Sequence, residues 1–164
     1  MAKTIVLFAS GHGNTERILT ELVNRASASV PGGLLLKPVR KTSRKEIAEA
    51  DRIAVGGPVY MGKMKGEVTA FLSRNHDLLL SKPLALFAGC LARGEDARAQ
   101  LERVFPADLR AHAAVTTAIG GDVDLDKLSF LMRGIMKNIA KTEEDKHSPE
   151  PEGRENLYRF LTES

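Results

Sequence analysis

The chain has 164 residues, 43% apolar and 27% charged, with a formal net charge of +3; this length suits one domain built around one core, and the composition is that of an ordinary globular protein. No run approaches the roughly 18 apolar residues of a membrane span and no charged-then-apolar leader opens the chain, so a cytoplasmic protein is expected. The single cysteine, Cys90, excludes an internal disulfide, and with four scattered histidines it makes no recognisable metal site; basic residues without interleaved aromatics make no nucleic-acid surface.

Apolar runs alternate with helical patterns from end to end, which predicts a parallel α/β sheet with helices on both faces. The first strand is expected at 3–9, followed by Ser10-Gly11-His12-Gly13-Asn14-Thr15 and a helix over 14–28 with Ile18, Leu22, Val23 and Ala26 on one face. Glycines let the backbone curl so that successive N–H groups point inward, while the Ser10 and Thr15 hydroxyls and the Asn14 amide add donors. The helix that opens there favours an anion at its N-terminus, so the run reads as a phosphate cradle. It is not a nucleotide-triphosphate loop, because no Lys follows Gly13. A dinucleotide fingerprint fails at its third glycine, where Glu16 stands, and Gly33-Leu34-Leu35-Leu36 occupy the place of the ribose-binding acid. Lys37, Arg40 and Lys41 leave a 2′-phosphate site, and with it NADP, open as a minor reading.

Further strands are expected at 33–39, 51–57, 83–90 and 113–120, and helices at 43–50, 64–75, 95–104 and 153–162. Five parallel strands with an early phosphate loop predict the doubly wound order 2-1-3-4-5 and a ligand at the strand carboxyl ends, beside Ser10–Thr15, Gly57–Lys65 and Gly89–Glu95. The stretch 122–151 is too long for a plain connection. In it Leu128, Leu131, Met132, Ile135, Met136 and Ile139 recur at helical spacing beside Lys127, Arg133, Lys137 and Lys141. This is an inserted amphipathic segment, able to pack on the domain, to meet a membrane surface, or to receive a bulky apolar substrate or partner.

Ile5–Thr15, Val55–Gly62 and Leu86–Arg93 resemble the three flavin-binding segments of flavodoxins, with Ser10, Gly13, Asn14 and Thr15 on the phosphate-loop pattern. The middle segment Gly57-Pro58-Val59-Tyr60-Met61-Gly62, together with Cys90-Leu91-Ala92-Arg93, is more similar to the flavodoxin-like, quinone-linked protoporphyrinogen dehydrogenases. The resemblance implies a flavodoxin-like three-layer sandwich spanning 1–164 as one domain, with the insertion at about 122–151. It implies noncovalent FMN, rather than FAD because only one phosphate cradle is evident. The implied contacts are Ser10, Gly11, His12, Gly13, Asn14, Thr15, Pro58, Val59, Tyr60, Met61, Gly62, Gly89, Cys90 and Leu91. Chemistry is expected on the flavin, so no catalytic side chain is assigned.

Tyr60, the sole aromatic residue between Arg52 and Ala70, is expected on one ring face, with Met61 or Leu91 on the other, and Cys90 is expected to be a small buried hydrophobe. Lys63 and Lys65 stand where a low-potential carrier would place acids, which tilts the expectation towards two-electron chemistry. The function expected first is therefore an FMN-dependent oxidoreductase like protoporphyrinogen IX dehydrogenase, acting in haem biosynthesis with a quinone acceptor. The alternative is a flavodoxin acting as a soluble one-electron carrier. Expected partners are a small-molecule or redox-protein electron donor, a quinone, and the inner face of the cell membrane.

Overall fold

The computed structural model describes residues 3–9, 14–30, 32–90, 92, 94–120 and 151–163. Five parallel strands, β1 (Thr4–Phe8), β2 (Leu34–Pro38), β3 (Arg52–Tyr60), β5 (Leu84–Gly89) and β6 (Val115–Ala118), lie in the order β2-β1-β3-β5-β6. That is the doubly wound order expected from the sequence. A two-residue strand, β4 (Lys63–Met64), returns antiparallel along the end of β3.

Strand alternation builds two cores. Ile5, Leu7, Ile53, Val55, Leu84 and Leu86 point to one face, which is covered by α2 (Arg44–Glu49), α3 (Gly66–Arg74), α4 (His76–Leu80), α5 (Gly94–Val104) and α6 (Ala107–His112). Val6, Phe8, Ala54, Ala85 and Phe87 point to the other, under α1 (Asn14–Ser27) and the final helix α7 (Pro151–Thr162). Side chains of this size contribute about 1.5–3 kcal/mol each when fully buried. Gly56 sits in the middle of β3 because a Cβ there would overlap the Phe87 carbonyl oxygen and lie 2.6 Å from its ring.

Local chemistry sets the element ends. Ser43 and Glu46 form a reciprocal capping box that starts α2. The last helix is tied down by several side chains: Thr117 Oγ1 donates to the Gly153 carbonyl at 3.3 Å and Arg154 Nε to the Ile119 carbonyl at 2.8 Å. Arg25 pairs with Glu155 at 2.5 Å and lies 3.9 Å above the Tyr158 ring.

The boundaries differ from expectation in one instructive place. β3 continues to Tyr60 instead of ending at 57, because Gly57 and Pro58 stay in the ladder opposite Ala88 and Gly89. Val59 and Tyr60 then pair with Met64 and Lys63. Helix α3 accordingly begins at Gly66, since Lys63 and Met64 are used by β4. Helices α4 and α6 have too few turns for a periodicity to show in the sequence.

Candidate functional site

The carboxyl ends of the strands converge on Gly89. A Cβ at this position would lie 3.0 Å from Thr15 Oγ1, 3.3 Å from the Gly120 carbonyl oxygen and 3.8 Å from Pro58 Cα. The first turn of α1, the end of β3 and the segment after β6 thus meet around the last residue of β5, which has no side chain. Thr15, in the first turn of α1, is 5% exposed, so its hydroxyl is held at the inner end of this junction. Gly57 repeats the device one step inward: its Cβ would lie 2.9 Å from Val68 and 3.2 Å from the Ala9 carbonyl oxygen.

Beside this junction stands the β3–β4 hairpin. Tyr60 and Lys63 are paired across a two-residue turn in which Met61 has φ 53° and Gly62 φ 76°. Two successive positive φ values are the primed hairpin geometry, which matches strand twist and normally takes Asn-Gly or Gly-Gly. Methionine in this conformation costs about 1–2 kcal/mol. Its side chain is nevertheless 81% exposed, and Tyr60 beside it is 43% exposed. Burial of the rest of the Tyr60 ring pushes its phenol pKa up, so it stays neutral across the physiological range. The turn is fixed from behind, because the Lys65 amide donates to the Pro58 carbonyl at 3.2 Å.

Of the residues expected to contact a cofactor, Thr15, Pro58, Val59, Tyr60, Met61, Gly62, Gly89 and Cys90 gather at this end of the sheet, as does the backbone of Asn14 at the start of α1. Ser10, Gly11, His12, Gly13 and Leu91 lie outside the described residues, as does the amphipathic stretch from Leu128 to Ile139. Val59 is half-buried against the core. Cys90 is 4% exposed and packs on Ala97 and Ala118, which makes its side chain part of the packing. Gly120 was not among the expected residues; the Gly120-Gly121 pair after the last strand is the signal that points to it.

The charges differ from the simple sequence picture. Lys65 Nζ lies 3.9 Å from Glu67, while Lys63 is exposed and has no ion pair among the described residues. Lys37 lies 2.5 Å from Glu46 and holds that carboxyl below the usual range. It is therefore engaged by a carboxylate, which weakens the minor 2′-phosphate reading. Among the described residues no three His, Cys, Asp or Glu side chains form a metal cluster, and no helix is long and apolar enough to cross a membrane.

The donor set fits FMN on one structural observation in particular: the absence of a Cβ at Gly89 lets Thr15, Gly120 and Pro58 close in on bare backbone at the strand ends. A buried hydroxyl at a helix N-terminus suits a phosphate, and a half-exposed tyrosine with an exposed apolar neighbour suits one face of a flat ring.

No curated protein matches the chain. Among solved structures it is similar to a flavodoxin from Streptococcus pneumoniae TIGR4, with a TM-score of 0.56 and 18% identity over 99% of this chain and 97% of that one. It is similar also to Megasphaera elsdenii flavodoxin, with a TM-score of 0.55 and 20% identity over 72% and 83%. A third is a flavodoxin, WrbA-like protein from Agrobacterium tumefaciens, with a TM-score of 0.53 and 18% identity over 87% and 99%. The chain spans only 31% of the Giardia intestinalis flavodiiron protein and 37% of the Desulfovibrio gigas rubredoxin oxygen:oxidoreductase that it also matches. At these identities the structures establish the fold, while the flavodoxin domain model matches residues 5–150 of the sequence itself: the chain belongs to the flavodoxin domain family.

Proposed function

We propose that the protein binds FMN at the carboxyl ends of its strands and transfers electrons as a flavodoxin-type carrier. The observation that carries this reading is the bare junction at Gly89, walled by Thr15, Gly120 and Pro58 and flanked by the exposed Tyr60-Met61 turn. In this reading Ser10 to Thr15 hold the phosphate through backbone N–H groups and hydroxyls, the hairpin covers the ring, and bound FMN supplies reversible one- and two-electron redox chemistry. The protein's own contribution is orientation, exclusion of water from part of the ring, and the charge nearby. Membership of the flavodoxin domain family and the flavodoxin structural neighbours support the carrier, the second of the two functions expected from the sequence.

Lys63 favours a second reading. A cation at the hairpin, with no ion pair among the described residues, stabilises an anionic reduced ring and favours delivery of electrons in pairs. This is the behaviour wanted of a quinone-linked oxidoreductase resembling protoporphyrinogen IX dehydrogenase, for which a quinone and the membrane surface are the proposed partners. An anaerobic potentiometric titration of the FMN-loaded protein decides between the two. Widely separated one-electron potentials support the carrier; a single two-electron wave, with oxidation of protoporphyrinogen coupled to a menaquinone analogue, supports the enzyme. A protein that cannot be loaded with FMN contradicts both.

A further inference from the structure

On the sheet face that carries Ile5 and Leu7, the covering helices leave a cleft of about 440 Å³, in the size range of small-molecule sites. It is walled by α3, by the start of α4 and by the turn that joins α5 to α6. Thr69, Leu72 and Ser73 recur at three- and four-residue spacing, so one strip of α3 faces it. Leu72 and Phe105, each 2% exposed, belong to the core beneath, with Val104 packed against that core, and they give the cleft an apolar floor. Both α3 and α5 run away from the strand carboxyl ends, and the cleft lies between their second halves, apart from the Gly89 junction.

The walls are tied together. His76 Nε2 meets Asp108 Oδ2 at 2.5 Å, which joins α4 to α6. The Phe105 amide donates to the Leu101 carbonyl at 3.3 Å and the Phe105 carbonyl accepts from Arg110 Nε at 3.1 Å, which fixes the turn between α5 and α6. The polar groups above the floor are uncommitted. Other helix hydroxyls donate to the carbonyl one turn back, as Thr20 does to Glu16, Ser27 to Val23 and Thr162 to Tyr158. The Thr69 and Ser73 hydroxyls make no such bond among the described residues, and Arg103 has no ion pair there. Nearby acids are taken up: Asp108 by His76 and Asp77 by Arg44, each at 2.5 Å. Glu102 is exposed and does not line the cleft. The unpaired charge among the lining residues is therefore that of Arg103.

We propose that this cleft binds a small organic carboxylate, its charged end on Arg103, Thr69 and Ser73 and its apolar body on Leu72, Val104 and Phe105. A guanidinium presents paired N–H donors that match the two oxygens of a carboxylate, and the hydroxyls supply further donors. One unpaired cation balances one negative charge, so a monoanion fits where a dianionic phosphate would carry an excess charge past Asp108. An amine is repelled by Arg103, and an anion without an apolar body leaves the floor wet. The inference is independent of the flavin.

The test titrates the full-length, isotope-labelled chain with 3-phenylpropionate, with and without FMN, and follows backbone amides by NMR. A ligand of this size binds in about the millimolar range. The proposal expects saturable shifts at Thr69, Leu72, Ser73, Arg103 and Phe105, whether or not FMN is present. It expects affinity to fall about tenfold in Arg103→Gln, with partial recovery in Arg103→Lys, and by a smaller factor in the Thr69→Val, Ser73→Ala variant. 3-Phenylpropionamide, which lacks the charge, and propionate, which lacks the ring, should each bind about tenfold more weakly than the parent acid. The proposal is overturned if those amides show no saturable shift up to about 20 mM, if Arg103→Gln or the uncharged amide binds as the parent pair does, or if the shifts centre on Thr15 and Gly89 or vanish with FMN. Because the titration is read without FMN as well, a failure here is distinct from a failure of the cofactor reading.

Discussion

The two ends of the sheet are built on opposite principles. At the amino end, side chains close off the backbone. The Lys3 amide donates to Asp51 at 2.6 Å, Lys82 Nζ donates to the Ala48 and Ala50 carbonyls at 2.8 and 2.5 Å, and His112 Nε2 donates to the Lys82 carbonyl at 2.7 Å. Arg52 reaches the Phe160 and Glu163 carbonyls at the end of α7 and stacks 4.3 Å from the Phe160 ring. At the carboxyl end the sequence instead withholds side chains at Gly57, Gly89 and Gly120, and the large side chains nearby, Tyr60 and Met61, are left in solvent. A helix terminus or strand end either satisfies its own polar groups or keeps them for something else. Here one end is committed to stability, and the other is the end where we propose that FMN binds.

Breaking the closed end gives the largest expected effect on stability. Arg52→Ala removes two charge-assisted hydrogen bonds and a ring contact from the last helix, and should cost about 2 kcal/mol in chemical denaturation. FMN affinity of the folded fraction should not change. A loss of affinity equal to the loss of stability would mean that the two ends are not separate. At the open end the order reverses. Gly89→Ala, whose new methyl meets Thr15 Oγ1 at 3.0 Å, should weaken FMN about tenfold, or about 1.4 kcal/mol by calorimetry, in the fraction that folds, at a cost in stability of about 1 kcal/mol.

Met61→Gly sharpens the contrast further. Relief of the positive φ should raise stability by up to about 1 kcal/mol, and a simultaneous fall in FMN affinity would identify the strain as retained for binding. The smallest effect concerns pH. Asp77 and Asp108 are exposed carboxylates held below the usual range by Arg44 and His76 respectively. A depressed folded pKa contributes stability above the unfolded value, near 4, and loses it as pH falls through the folded value. Thermal melts of the Asp77→Asn, Asp108→Asn variant should therefore show a slightly lower midpoint than the parent at neutral pH and a shallower acid limb, the two curves converging as pH falls below the folded pKa values.

Much of this division is legible in the chain. The alternation of β1, β3 and β5 and the stripe on α1 are long, apolar patterns that only a two-sided parallel sheet satisfies, so strand order and helix faces follow from them. Gly11, Gly13 and Gly89 pointed to the expected binding end because nothing else in an apolar run calls for them; of these, Gly89 is among the described residues and lies at the strand carboxyl ends. What the sequence obscured was the continuation of β3 through Gly57-Pro58. Those residues ordinarily end a strand, and here they persist because Gly89 and Ala88 lie alongside and β4 folds back. The charges were also misread one residue at a time: Lys65 and Lys37 look free in the sequence, but Glu67 and Glu46 reach them through turns that only the fold supplies.

The central claim, that the open end binds FMN and the closed end does not, is tested most directly by adding FMN to isotope-labelled apoprotein and following backbone amide shifts by NMR. The amides of Thr15, Gly57 to Gly62, Gly89, Cys90 and Gly120 should move with a single saturable affinity, while those of Lys3, Asp51, Lys82 and His112 stay in place. Shifts centred on the second group, or saturation with no change at Thr15 and Gly89, would contradict the account.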